Sequence, residues 1–354
     1  MIERKEITAG PGEYADRFPS ICRLKDGKLL LLWQRLEPTR FRWQKCSLRQ
    51  AVSGDQGRTW QEKEDICSFE DIQSINAKQG VYLNDYTRFS HLPDGRLVFA
   101  GGVYEKETEK SFGGWWESSD EGQNWQGPII FRDIAAPQMQ LTRPLVLADG
   151  TIGILAVQTY KSPTTPKGSP EGRSCSLFLM TSADRGKSWQ KRSLLFSGDY
   201  LPFYICEPDW VVFPDGRIRV FTRADAGYTP GLIFDSTDNG RTWKTSLMPF
   251  LGQHLAAGFI AGTEQVMVCF RACHYTWPPA VGAWRDDGSP YGRFLHIHQG
   301  VGYGRYMADV GEWVQLSEKK FMVVYSLRTE EKKEVRIWSS AFALDDFLPN
   351  QQIK

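Results

Sequence analysis

One octapeptide recurs four times along the chain and constrains its fold more than any other feature. It reads SGDQGRTW at 53–60, SSDEGQNW at 118–125, SADRGKSW at 182–189 and STDNGRTW at 236–243. Each copy runs Ser-x-Asp-x-Gly-x-(Thr/Ser/Asn)-Trp, which has the chemistry of a turn. Asp55, Asp120, Asp184 and Asp238 can accept hydrogen bonds from backbone N–H groups two or three residues on. Gly57, Gly122, Gly186 and Gly240 supply the positive φ such a turn needs. Trp60, Trp125, Trp189 and Trp243 open the next strand and bury an aromatic face beneath the turn. Copies at comparable intervals imply a repeat architecture. A second repeat stands ahead of each octapeptide: an apolar strand, an Asp-Gly pair, another apolar strand. The pairs Asp26-Gly27, Asp94-Gly95, Asp149-Gly150 and Asp215-Gly216 are hairpin signals. Each unit therefore reads as strand, hairpin, strand, strand, octapeptide turn, strand.

The octapeptide is the Asp-box, and over nearly its whole length the chain resembles the sialidase (neuraminidase) superfamily of β-propellers. The fold this implies is all-β: a six-bladed β-propeller of four-stranded antiparallel blades, forming a single domain over residues 1–354. Two further units lack the octapeptide but keep the strand pattern, one starting at Ala256–Ala272 and one at Glu312–Arg328. The last unit shows three clear strands. The segment Glu3–Thr8 can supply its fourth and close the ring, which protects the sheet edges. The polar insert Lys161–Ser174 reads as an exposed loop.

Charge narrows the function. Lys and Arg number 43 against 42 Asp and Glu, a net charge of +1. That argues against a nucleic-acid or membrane-surface role driven by bulk charge, so any basic site must be a local cluster. No apolar run is long enough to span a membrane. The start MIERKEITAG has no apolar segment of the kind a signal peptide needs, and a cytoplasmic protein is the simplest reading. The seven cysteines form no compact framework and no metal-ligand spacing; they read as reduced, buried small hydrophobes.

In a propeller the starting ends of the innermost strands, and the ends of the second strands, face the ligand. The Asp-boxes lie on the far side, so their carboxylates read as structural. Candidate residues then gather at the opposite ends of the units: Arg17, Arg88, Arg143, Arg223, Arg271 and His274 for binding, with Glu37, Asp85, Glu207, Tyr306 and Asp309 for catalysis. A planar guanidinium matches a carboxylate bidentately, so several arginines on one axis would suit an acidic sugar.

The resemblance assigns roles to some of these. Asp16-Arg17-Phe18-Pro19-Ser20 is similar to the family's Arg-Ile-Pro segment, which implies that Arg17 is the first of three arginines clamping a sialic acid carboxylate. Glu207-Pro208 and Arg223 resemble the fourth blade, implying a carboxylate that activates a tyrosine nucleophile and a second clamp. Arg305, Arg293 and Arg271 compete for the third arginine. Tyr306 lies near the family's tyrosine, while strand alignment puts Asp309 at that place, as an acid or base. The family's aspartate acid/base would fall in Gln34–Val52, which contains no Asp; Glu37 is the only carboxylate there, and Asp85 is the other candidate. The implied activity is an exo-sialidase-like glycoside hydrolase acting on a terminal acidic sugar of a glycan, with no cofactor. Two alternatives stand. One is a polysaccharide lyase, with His254 or His274 and a tyrosine as base and acid, or a uronate or rhamnose glycosidase. The other is a non-catalytic carbohydrate-binding propeller.

Overall fold

Short apolar runs bounded by Asp-Gly and Asp-box turns become strands throughout the chain, as period-two burial requires. The computed structural model describes residues 2–8, 14–38, 43–70, 79–82, 88–105, 107–161, 173–198, 204–224, 229–272, 279–285, 290–298, 308–328 and 335–346. Among them the only helical element is one 3-10 turn at Leu344–Asp346. They group into two compact units, one of Met1–Asp71 with Gly252–Lys354 and one of Ile72–Leu251.

The first unit begins with β1 (Glu3–Glu6), β2 (Ala15–Arg23), β3 (Leu29–Pro38), β4 (Trp43–Ser53), β5 (Gln61–Glu62) and β6 (Cys67–Glu70). The second unit holds three antiparallel sheets. One comprises β7 (Gln79–Tyr82), β8 (Ser90–His91), β9 (Leu97–Glu105), β10 (Lys110–Ser118) and β11 (Gln126–Ala136). The next comprises β12 (Gln138–Leu141), β13 (Leu145–Val146), β14 (Ile152–Lys161), β15 (Arg173–Ser182) and β16 (Gln190–Ser197). The third comprises β17 (Ile205–Val212), β18 (Ile218–Ala224), β19 (Leu232–Ser236) and β20 (Lys244–Leu247). The first unit resumes with a four-stranded sheet of β21 (Gly252–Phe259), β22 (Val266–Ala272), β23 (Pro279–Trp284) and β24 (Pro290–His296). It ends with β25 (Ala308–Ser317), β26 (Lys320–Arg328) and β27 (Val335–Ala343).

Two departures from a simple row of four-stranded sheets appear. In the second unit, the first strand of two sheets is broken. Pro144 separates β12 from β13, because proline has no N–H for the ladder. In the first unit, the opening and closing meanders merge into one nine-stranded sheet, through a single parallel pairing of Ala15 with Val335. The N-terminal strand adds to the last meander: β1 pairs antiparallel with β27 from Glu3–Ala341 to Glu6–Trp338. Of the polar insert, 162–172 lie outside the described residues.

Each Asp-box joins the third strand of its meander to the fourth. Its hydrogen bonds reach further than the sequence suggests. The Asp55 carboxylate accepts from the Thr59 N–H at 2.8 Å and from the Thr59 hydroxyl at 2.6 Å, four residues on. Ser53 Oγ accepts the Gly57 N–H at 2.8 Å. The same bonds recur around Asp184 and Asp238, and around Asp120 the Asn124 side-chain amide donates in place of the hydroxyl. The residue before each glycine is left-handed as well: Gln56, Glu121, Arg185 and Asn239 have φ between 59° and 66°. The hydrogen bonds from Thr59 hold the Asp55 carboxyl down at about 2, and those from Ser188 do the same for Asp184. Of the box tryptophans only Trp189 is fully buried; Trp60 and Trp243 pack half-buried against their cores.

Within each unit the sheets pack face to face through apolar side chains. Trp115 and Trp210 are buried in the second unit, and Trp33, Trp284 and Tyr325 in the first. A buried aromatic removes 150–250 Å² from water, worth about 4–6 kcal/mol before entropy is charged against it. Cys175, Cys206 and Cys269 are buried thiols, whereas Cys22 and Cys67 are half-buried; burial pushes the Cys175 thiol up to about 12.

Candidate active site

The first strand of a meander carries a bulge near its start. Pairing skips between Cys206 and Asp209 in β17, between Arg17 and Ser20 in β2, and between Gln253 and Ala256 in β21. Each bulge holds a non-glycine residue in the left-handed region, and Glu207, Phe18 and His254 all have φ 53°. Proline explains two of them, since Pro19 and Pro208 cannot donate to the ladder and are tolerated where pairing is interrupted. A bulge re-aims the side chain it carries. Opposite, on the second strand, Arg223 pairs with Cys206, Arg271 with Gln253 and Gln34 with Arg17. In the sheets of β2 and β17 the Asp-Gly hairpins and Asp-boxes close the other ends.

In the second unit the bulge builds a polar cluster. Glu207 is buried, and its carboxylate takes a hydrogen-bonded ion pair from Arg223. Its backbone N–H donates to Gln140 Oε1 of β12, 3.2 Å away. Asp209, 1% exposed, pairs with Arg88, itself 3% exposed, at 2.6 Å and with Arg143 at 3.4 Å. Arg143 and Trp210 lock the two segments together: the Trp210 indole donates to the Arg143 carbonyl at 3.0 Å, and Arg143 Nη2 donates to the Trp210 carbonyl at 3.2 Å. Sequence reasoning placed Arg88 and Arg143 on a ligand; here both guanidiniums are engaged by Asp209.

The first unit holds a second cluster. Arg35 grips both oxygens of the fully buried Asp16, at 2.7 and 2.9 Å, and the Trp33 indole donates to Asp16 at 3.1 Å. Arg17 lies over the Phe18 ring at 4.3 Å, and Phe18 stacks on His254 with centroids 6.3 Å apart and planes at 15°. Arg271 is buried and donates to Gln253. Glu312 accepts the Ser20 hydroxyl at 2.6 Å. Gly311 lies in β25 against β2: a Cβ there would come 1.9 Å from the Pro19 carbonyl oxygen.

Asp85, His274, Arg305 and Tyr306 lie outside the described residues. Glu37 falls on β3, Arg293 on β24 and Asp309 on β25, with their side chains outside the described set. Among the described residues no group of three or more His, Cys, Asp or Glu could hold a metal ion. Gln253 is the partner that sequence reasoning passes over: it is not titratable and acts through its strand partner Arg271.

The family profile described as a BNR repeat-like domain matches residues 87–265. No curated protein sequence matches the chain. Among solved structures, a Dyadobacter fermentans protein of unknown function is similar at 17% identity, with a TM-score of 0.73, over 96% of this chain and 98% of the other. An α-L-arabinanase from Penicillium chrysogenum, complexed with arabinobiose, is similar at 15% identity and TM-score 0.65, over 98% and 99%. A Trypanosoma rangeli sialidase in complex with the inhibitor DANA is similar at 13% identity and TM-score 0.63, over 93% of this chain and 55% of that one.

Proposed function

Because the chain belongs to the BNR repeat-like domain family, we propose that it is a carbohydrate-active enzyme, a glycoside hydrolase built as one six-bladed β-propeller over residues 1–354. The observation that carries this reading is Glu207: a buried carboxylate, ion-paired with Arg223, on a bulge at the end of its sheet opposite the Asp-box. A carboxylate so held can take a proton from a nucleophile or attack an anomeric carbon itself. Both solved relatives with stated activities are glycosidases, which supports the class. In this reading Arg17 is a further candidate for sugar binding, and Tyr306 and Asp309 are further candidates for catalysis.

Two substrate forms are distinguishable. The sialidase resemblance favours a terminal acidic sugar bound by arginines. The pairing of Arg223 with Glu207, and of Arg88 with Asp209, favours an uncharged sugar, because those two guanidiniums are already balanced by carboxylates. The arabinobiose complex of the Penicillium enzyme supplies a concrete neutral probe.

The test is a product assay on sialyllactose, arabinobiose and a panel of rhamnose- and uronate-bearing oligosaccharides. Release of a reducing sugar without near-ultraviolet absorbance is expected. An unsaturated product would make the protein a lyase, and tight binding without turnover would make it a binding module.

A further inference from the structure

Resting on the glycosidase reading of Glu207, we infer that Gln140 is the positioning residue that fixes the direction of the catalytic carboxylate. The bulge in β17 takes Glu207 out of the ladder: pairing passes from Cys206–Arg223 to Asp209–Phe221. Glu207 thus stands outside the paired register, and a buried amide needs an acceptor. Gln140 Oε1 supplies one from the neighbouring sheet, at 3.2 Å. Gln140 is itself buried, and its strand is registered on β14 through the Gln140–Val157 pair.

The contact matters because of the conformation it holds. A left-handed φ of 53° is uncommon for a glutamate and persists where the surroundings enforce it. Two contacts do so here, at opposite ends of the residue. Arg223 holds the carboxylate and Gln140 holds the amide. The pairing of Arg143 with Trp210 and Asp209 keeps the two segments in register, so Gln140 stays within reach. Releasing the amide lets φ relax toward the extended region, which rotates the Cα–Cβ bond and swings the carboxylate away from its place. A displacement of about 1 Å at a reacting group lowers turnover roughly 10²-fold.

Two variants separate positioning from packing. Gln140→Met keeps the side-chain length and loses the acceptor; Gln140→Glu keeps an acceptor oxygen. Amide hydrogen exchange on the full chain reads the contact directly, and steady-state kinetics on the best substrate from the panel above read its consequence. In the Met variant we expect exchange at the Glu207 amide to quicken while Val211 in the same strand is unchanged. We also expect kcat to fall about 10²-fold with KM within about twofold. The Glu variant restores the protection and most of the turnover. If Glu207 exchange is unchanged in the Met variant, or if kcat falls equally in both variants, the inference is overturned. If the wild type cleaves nothing and Glu207 exchange still quickens in the Met variant alone, the glycosidase reading fails and the positioning contact stands.

Discussion

Asp209 has two arginines on one carboxylate in the interior of the second unit. Such an arrangement is costly to assemble and costlier to break, because removing one partner leaves charge without compensation in a low-dielectric site. Arg88→Met is the clearest test, since Arg88 and Asp209 are buried together at 2.6 Å. Chemical denaturation should show a loss of about 3–5 kcal/mol. A change within experimental scatter would mean that Arg143 and solvent take over the carboxylate. At this scale the candidate site was half legible. Glu207 and Arg223 stand out because Glu-Pro ahead of a hairpin and an arginine at the end of the next strand form a pattern along the chain. Arg88 and Arg143 were read as ligand contacts because nothing local couples either residue to Asp209. Pro19 and Pro208 lie at two of the bulges, since proline interrupts a ladder. The bulge at His254 precedes Leu255 rather than a proline.

At the scale of elements, the Asp-box turns and the Asp-Gly hairpins were readable because their hydrogen bonds run between neighbours in sequence. The joining of the first and last meanders through Ala15 and Val335 was not readable, because it depends on residues far apart in the chain. Two of the turn glycines stand in different surroundings. Gly150 has φ 80° with no atom within 4 Å of where a Cβ would stand; Gly240 has φ 77°, and a Cβ there would lie 2.3 Å from the buried Leu179 Cδ2. Both glycines avoid the left-handed cost of about 1–2 kcal/mol for an L-residue. Only Gly240 also avoids overpacking, which adds about 1–3 kcal/mol. Denaturation of Gly240→Ala should therefore show the greater loss of the two alanine variants. Equal losses would mean that the Asp-box glycine is chosen for φ alone.

For the whole molecule, stability should fall in two stages as the pH drops. His298 is half-buried, hydrogen-bonded to the Tyr325 hydroxyl at 3.0 Å, and beside Trp338. Burial first, and the Arg4 charge second, lower its pKa from 6.5 to about 4. A depressed folded-state value means that the unfolded chain takes up the proton first. Stability is thus full above about pH 6.5 and declines as pH falls to about 4. The Asp55, Asp94 and Asp184 carboxyls, held at about 2 by their hydrogen-bond donors, extend the decline below the ordinary carboxylate value of 3.8. Thermal melts across pH 7 to 2 should show both stages, and His298→Asn should remove the upper one; a melting temperature flat from 6.5 to 4 would contradict this. The central claim, that Glu207 carries out glycosidic hydrolysis, is tested most directly by kcat/KM of the wild type against Glu207→Gln on the best glycan substrate. The account predicts a loss of about 10²–10⁴-fold with the fold intact by circular dichroism. Equal kcat/KM in the two proteins would contradict it.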